Sequence, residues 1–203
     1  MYIVNLDLEG VLFPEIWIGV AEKTGIEALR LTTRDVADYD ELMQHRLNIF
    51  EEQKLTLTDV QKVIDTLEPL PGAVEFLDWL RDCCQVMILS DTFVEFAKPV
   101  MKQLKMPTIM CHSLKTDKNN AILSHHIRID NAKRRAIEAF RSLNFQTIAV
   151  GDSFNDVGML ETADHGIFFC PPDEISSQYP DFPVTKNYQE LRSAISMIIN
   201  AED

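Results

Sequence analysis

The stretch VNLDLEGVLF, residues 4–13, decides how the rest of the chain is read. An apolar, strand-like run carries two carboxylates, Asp7 and Glu9, into a glycine. Residues two apart on a strand point to the same side. Two like charges facing a core repel, and burying them is costly unless a cation is present. Two readings follow. In one, the strand faces solvent or ends at Asp7 and releases both acids into a loop. In the other, the acids form a metal-dependent site at the carboxyl end of a first strand, where open α/β sheets place ligands.

The remaining sequence decides between them. Residues 2–8 read as a strand, and PEIWIGVAEKTG opens a helix at Pro14 with Gly25 as its stop. Residues 39–53 carry apolar side chains at helical spacing, and residues 58–67 read as a further short helix before EPLPG breaks the chain. From Gly72 the pattern alternates: helix AVEFLDWLRDC, strand QVMILSD, helix TFVEFAKPVMKQL, strand TIMCH. A hairpin follows over LKTDKNNAILSHHIRI, turning near residues 118–120. Next come helix NAKRRAIEAFRSL, strand QTIAVGD, short helix NDVGMLETA, strand HGIFFC and helix NYQELRSAISMIIN. Alternation of this kind predicts an α/β fold with a Rossmann-like parallel sheet. The all-helical block at 13–68 reads as an insertion, which leaves 1–12 and 69–203 as the core domain.

Three predicted strands end in polar residues: Asp7 and Glu9; Ser90, Asp91 and Thr92; and Asp152, Asn155 and Asp156. In a parallel sheet those ends share one edge, so the groups converge. Oxygen ligands without a His/Cys cluster point to magnesium. Lys133, Arg134 and Arg135 fall in the first turn of a helix that Asn131 is placed to cap, where cations oppose the helix dipole. That predicts a compensating anion nearby, or a solvated basic patch.

Bulk composition narrows the partners. The chain has 203 residues, 46% hydrophobic and 25% charged, with a formal net charge of −13. Such a charge argues against nucleic acid and anionic membranes. No run approaches the roughly 20 apolar residues of a membrane helix, and MYIVNLD has no basic leader, so a cytoplasmic location is expected. The four cysteines, Cys83, Cys84, Cys111 and Cys170, lack zinc spacing and read as reduced thiols. His45, His112, His125 and His126 show no metal spacing, and the last two read as surface polars on the hairpin. Monomer and homodimer both stay open.

Asp7-Leu8-Glu9, Ser90, Lys133 and Gly151-Asp152-Ser153-Phe154-Asn155-Asp156, in that order, resemble the motif set of the haloacid dehalogenase-like phosphohydrolases. Within that superfamily, LDLEGVL, PEIW, ILSDTF and GDSFND resemble the small bacterial phosphoserine phosphatases that also transfer phosphate to homoserine. The resemblance implies a phosphoserine phosphatase with Asp7 as nucleophile and an aspartyl-phosphate intermediate. It implies magnesium held by Asp7, Asp152 and the main-chain carbonyl of Glu9, and the Glu9 carboxyl as acid and base. Ser90, Asp91, Lys133 and Asn155 would line the phosphoryl pocket, with Asp156 orienting Lys133. Glu15 and Arg46 match the cap residues that meet a substrate's ammonium and carboxylate. Read from the residues alone, Glu15 compensates a helix dipole and Arg46, on a stripe with Met43, Leu47 and Phe50, snorkels to solvent. Most of the family has Asp where this chain has Glu9, which leaves the balance of hydrolysis and transfer open. The alternatives are a phosphatase for another small phosphate and a non-catalytic protein keeping the fold.

Overall fold

A computed structural model describes residues 1–32, 35, 36 and 39–201. Its seven-stranded sheet has the order β4-β3-β2-β1-β5-β6-β7. The strands are β1 (Tyr2–Leu6), β2 (Gln85–Phe93), β3 (Ile109–Thr116), β4 (Ile122–His126), β5 (Gln146–Gly151), β6 (His165–Phe169) and β7 (Val184–Thr185). All neighbours pair in parallel except β3 and β4, the antiparallel hairpin. The chain therefore builds outward from β1 on one side and returns to build outward on the other. β1 lies at the switch point, between β2 and β5, and the crevice at its carboxyl end is where such sheets take ligands.

The helices are α1 (Ile16–Thr24), α2 (Tyr39–Gln53), α3 (Leu57–Ile64), α4 (Ala73–Cys83), α5 (Val94–Gln103), α6 (Ala132–Ser142), α7 (Val157–Thr162), α8 (Asp173–Gln178) and α9 (Tyr188–Asn200). α2 and α4 begin and end where their apolar periodicity does. Gly25 closes α1 in the left-handed conformation, and Thr56 caps α3 in a reciprocal box with Asp59. Asn131 stands at the N-cap of α6 but does not cap it through its side chain: its backbone is left-handed, at φ 52°. α8, β7 and a 3-10 turn at Glu27–Arg30 are additions to the predicted elements.

Helices α1 to α3 lie between β1 and α4 in sequence and share one apolar core with the sheet. Trp17 of α1 makes that junction. It stacks on Phe50 of α2, with centroids 5.8 Å apart, and meets Phe96 of α5 edge-on at 5.3 Å. The hairpin adds a second junction. Asn120 at its tip bonds Thr58 Oγ1 at 3.1 Å, and His125 Nε2 lies 2.9 Å from Asp40 Oδ1. These residues are thus not bland surface polars: the hairpin supports α2 and α3. All four cysteines are free thiols.

Candidate active site

β1 ends at Leu6, so Asp7 and Glu9 enter a loop rather than sharing a strand face. Asp7 still donates its amide to Val150 O at 2.9 Å, which fixes it at the sheet edge. The loop turns at once, with Gly10 N donating to Phe13 O at 2.8 Å. Gly10 has φ +81°, and a Cβ there would fall inside 3.0 Å of the Asp152 carboxylate. Only glycine lets the loop approach β5's end so closely.

Lys133, at the start of α6, is buried beneath this edge. Its Nζ lies 2.9 Å from Asp7 Oδ1, 2.7 Å from Asp156 Oδ1 and 3.7 Å from Asp91 Oδ2. Burial works against its charge, yet Asp156, Asp7 and Asp91 hold its pKa well above the ordinary lysine value. These are the anions that the helix-dipole argument required. Arg134, by contrast, pairs with Glu138 on the exposed face of α6, and Arg135 is exposed.

Asp156 is fully buried, and its second oxygen accepts amides from Asp152 at 3.0 Å and Ser153 at 3.1 Å. It therefore orients both Lys133 and the loop after β5. Carboxylate oxygens of Asp7, Asp152 and Asp156 lie within 4.8 Å of one another. Burial, together with Asp156 and Asp152, pushes the Asp7 carboxyl up despite Lys133. Three buried carboxylates, two of them against one ammonium, leave an excess of negative charge that a hard divalent cation with oxygen ligands fits.

The end of β2 departs from regular pairing. Leu89 pairs with Met110 and Phe93 with His112, so three residues of β2 face one of β3. This bulge turns Ser90, Asp91 and Thr92 into the crevice. Thr92 N donates to Ser90 Oγ at 3.1 Å, which leaves the serine proton free to point outward. Asp91 Oδ2 accepts the Asn155 amide at 2.8 Å. Burial pushes the Asp91 carboxyl up, but Lys133, His112 and Asn155 outweigh it and hold it well below the usual range.

These groups line one cavity of about 650 Å³, which Glu9, Glu15, Trp17, Tyr39 and Arg46 also line. Arg46 does not snorkel. It is 4% exposed, its guanidinium stacks on the Trp17 ring at 4.0 Å, and Nη2 donates to Leu31 O at 2.8 Å. Its Nε has no partner, and among the described residues no carboxylate pairs with it. Glu9 accepts the amide of Ile16 at 2.9 Å. Burial, and then the neighbouring Glu15 carboxyl, push Glu9 up to about 8, so near neutrality it carries a proton.

The structure thus brings Asp7, Glu9, Glu15, Arg46, Ser90, Asp91, Lys133, Asp152 and Asn155 into one crevice. It adds Tyr39, whose hydroxyl donates to Asp91 O at 3.3 Å, and Phe154, Pro172, Glu174 and Ile175 at the rim. Of these additions only Phe154 sits inside a quoted motif, and Tyr39 reads from sequence only as the start of a helix.

Residues 7–164 match the haloacid dehalogenase-like hydrolase family. The chain belongs to that family. It is 53% identical over 200 residues to the phosphoserine phosphatase of Pseudomonas syringae pv. tomato, covering 98% of this chain and 84% of that protein. It is 52% identical to the phosphoserine phosphatase ThrH of Pseudomonas aeruginosa, covering 95% and 94%. A solved structure of a phospho-aspartyl intermediate analogue of phosphoserine phosphatase shares the fold. It has a TM-score of 0.76 at 20% identity, covering 96% of this chain and 97% of that one. No helix among the described residues is long and apolar enough to cross a membrane.

Proposed function

We propose that this protein is a magnesium-dependent phosphoserine phosphatase that also passes the phosphoryl group to homoserine. The observation that carries the reading is Arg46: a buried guanidinium without a carboxylate partner, in the same cavity as Asp7. A cation buried in that way is costly unless a ligand supplies the anion. An α-amino acid supplies a carboxylate suited to the guanidinium fork, and an ammonium for Glu15 beside Glu9. In this reading residues 13–68 form the cap that recognises the amino-acid end, and the sheet edge handles the phosphoryl end. The two relatives named phosphoserine phosphatase support the same substrate.

The chemistry follows from the positions. A carboxylate oxygen of Asp7 attacks phosphorus in line, the P–O bond to serine breaks, and an aspartyl-phosphate forms on Asp7. Ser90 and Lys133 hold the phosphoryl oxygens, with Asn155 fixed beside them by Asp91, so catalysis is mainly positioning and charge stabilisation. Glu9, protonated near neutrality, gives its proton to the departing serine oxygen. The resulting carboxylate then takes a proton from water or from the homoserine hydroxyl as either attacks phosphorus; the P–O bond to Asp7 breaks, which releases phosphate or phosphohomoserine and restores the Asp7 carboxylate. Asp7, Asp152 and the Glu9 carbonyl would hold magnesium, which would supply positive charge to neutralise the phosphoryl group.

Phosphorus NMR of the protein with magnesium and L-phosphoserine, with and without L-homoserine and without ATP, tests the reading. The expected result is inorganic phosphate, joined by phosphohomoserine when homoserine is present. Phosphate alone would reduce the assignment to a plain phosphatase, and no turnover of phosphoserine would overturn it.

A further inference from the structure

His112 lies on β3 opposite the β2 bulge and is 4% exposed. Its Nδ1 accepts the main-chain N–H of Arg128 at 3.2 Å. An accepting Nδ1 carries no proton, so in the neutral ring the proton is on Nε2. Nε2 faces Asp91 Oδ1 at 3.6 Å. The opposite oxygen of the same carboxylate, Oδ2, takes the Asn155 amide and lies nearest to Lys133. Asn155 is held at its other end as well, because Ser153 Oγ donates to Asn155 Oδ1. A line of polar groups therefore runs from the hairpin's exit, through the buried imidazole and the half-buried Asp91, to two groups of the phosphoryl pocket.

Asp91 is the unusual member of that line. A carboxylate beside a phosphoryl site repels its ligand unless its charge is spent elsewhere. The bulge leaves Asp91 without the ladder that would otherwise fix it, since its residue has no register partner on β3. Asn155 hydrogen-bonds its Oδ2, while Lys133 Nζ and His112 Nε2 face the two oxygens at 3.7 and 3.6 Å; of the three, His112 belongs to neither the phosphoryl pocket nor the loop after β5.

We infer that His112 is a positioning residue: through its Nε2–H it fixes the Asp91 carboxylate, which in turn sets Asn155 and Lys133 for phosphoryl transfer. Its spacing in the sequence showed nothing, because its role rests on the register shift between β2 and β3. The inference rests on the proposed phosphatase reading for its kinetic part, and a second readout keeps the two apart.

Steady-state hydrolysis of phosphoserine and of p-nitrophenyl phosphate is measured for wild type, His112→Leu, His112→Gln, Asp91→Asn and the His112→Leu/Asp91→Asn double variant. Misplacing a reacting group costs rate steeply, so His112→Leu is expected to lower kcat about tenfold or more with KM changed less than about threefold. His112→Gln, whose amide N–H reaches the Nε2 position, is expected to restore most of that loss. In the Asp91→Asn background His112→Leu is expected to cost less than about twofold, since residues acting through one another are not additive. Equal activity of wild type and His112→Leu, failure of the glutamine rescue, or multiplying losses would each overturn the assignment. ¹⁵N NMR of the resting protein's imidazoles reads the tautomer without turnover: a proton on Nε2 alone is expected, and a protonated Nδ1 would overturn the inference. If wild type turns over p-nitrophenyl phosphate but not phosphoserine, the substrate reading fails while His112 is still judged on the other substrate.

Discussion

Replacing Arg46 with methionine separates binding from folding more cleanly than any other change at this site. The aliphatic stem is largely kept, but the charge and the guanidinium that covers Trp17 are lost. Burial holds the guanidinium down to about 10, against weaker support from Tyr39, Glu9 and Glu15. A depression of that size corresponds to about 3 kcal/mol against the charged form in the ligand-free protein. Methionine removes this cost and also removes the stack on Trp17, which contributes about 1–2 kcal/mol when desolvated. It also removes the hydrogen bond to Leu31 O, about 1.5 kcal/mol or more, so the expected net effect is close to zero, read as a Tm change of less than roughly 4 °C by calorimetry. Activity falls much further. A charged hydrogen bond contributes about 1.5–3 kcal/mol, and two to one carboxylate make the loss in kcat/KM for phosphoserine on the order of 10²–10⁴-fold. Most of it is expected in KM, with p-nitrophenyl phosphate, which lacks the α-carboxylate, affected less than about threefold. A variant that binds phosphoserine as wild type does would refute the reasoning, and so would a clear drop in Tm.

Three further outcomes are expected. Lys133→Met leaves Asp7, Asp91 and Asp156 without their shared cation, a loss of about 3–5 kcal/mol. Tm falls by more than about 6 °C, and calorimetry with added magnesium shows part of it restored. Gly10→Ala forces a Cβ against the Asp152 carboxylate in a left-handed backbone; isothermal titration is expected to show weaker magnesium binding, with activity recovered only at high magnesium. Asp164 accepts Thr147 N at 2.8 Å and Thr147 Oγ1 at 2.9 Å, which with Arg141 holds its carboxyl below the usual range against burial. A folded-state value depressed in this way contributes stability above the unfolded pKa of about 3.9 and loses it as pH falls. Asp164→Asn is therefore expected to lower Tm near pH 7, with the gap closing below about pH 4.

The sequence was most legible where one periodicity ran for ten residues or more. α2 and α4 stand at their predicted limits because their apolar stripes are long, and the three acid-ended strands converge because a parallel sheet puts their ends together. α8 escaped notice because DEISSQ buries only Ile175, too few residues to make a pattern. β7 is two residues long. Among the site residues, Asp7 and Asp152 follow from strand ends, whereas Glu15 and Arg46 were pointed to by resemblance. Their own local pattern favoured dipole compensation and snorkelling. Arg46 departs from that expectation because Trp17, one helix away, offers its ring face inside the cavity, a tertiary fact that helical spacing does not encode. The bulge in β2 is likewise invisible in ILSDTF, since it is a property of the strand's pairing with β3.

The hairpin's hold on the helices has a consequence for engineering. Residues 13–68 look like a cassette that could be exchanged to give the catalytic sheet a new specificity. Yet Leu57 N donates to Asn120 O at 2.8 Å, Asn120 reaches Thr58, and Asp40 meets His125. The cassette's seat is therefore built by a segment about fifty residues downstream of its end. A graft that ignores residues 117–126 would carry α1 to α3 without the hairpin contacts that hold Asp40, Leu57 and Thr58. A chimera should take the hairpin with the helices, as one discontinuous unit.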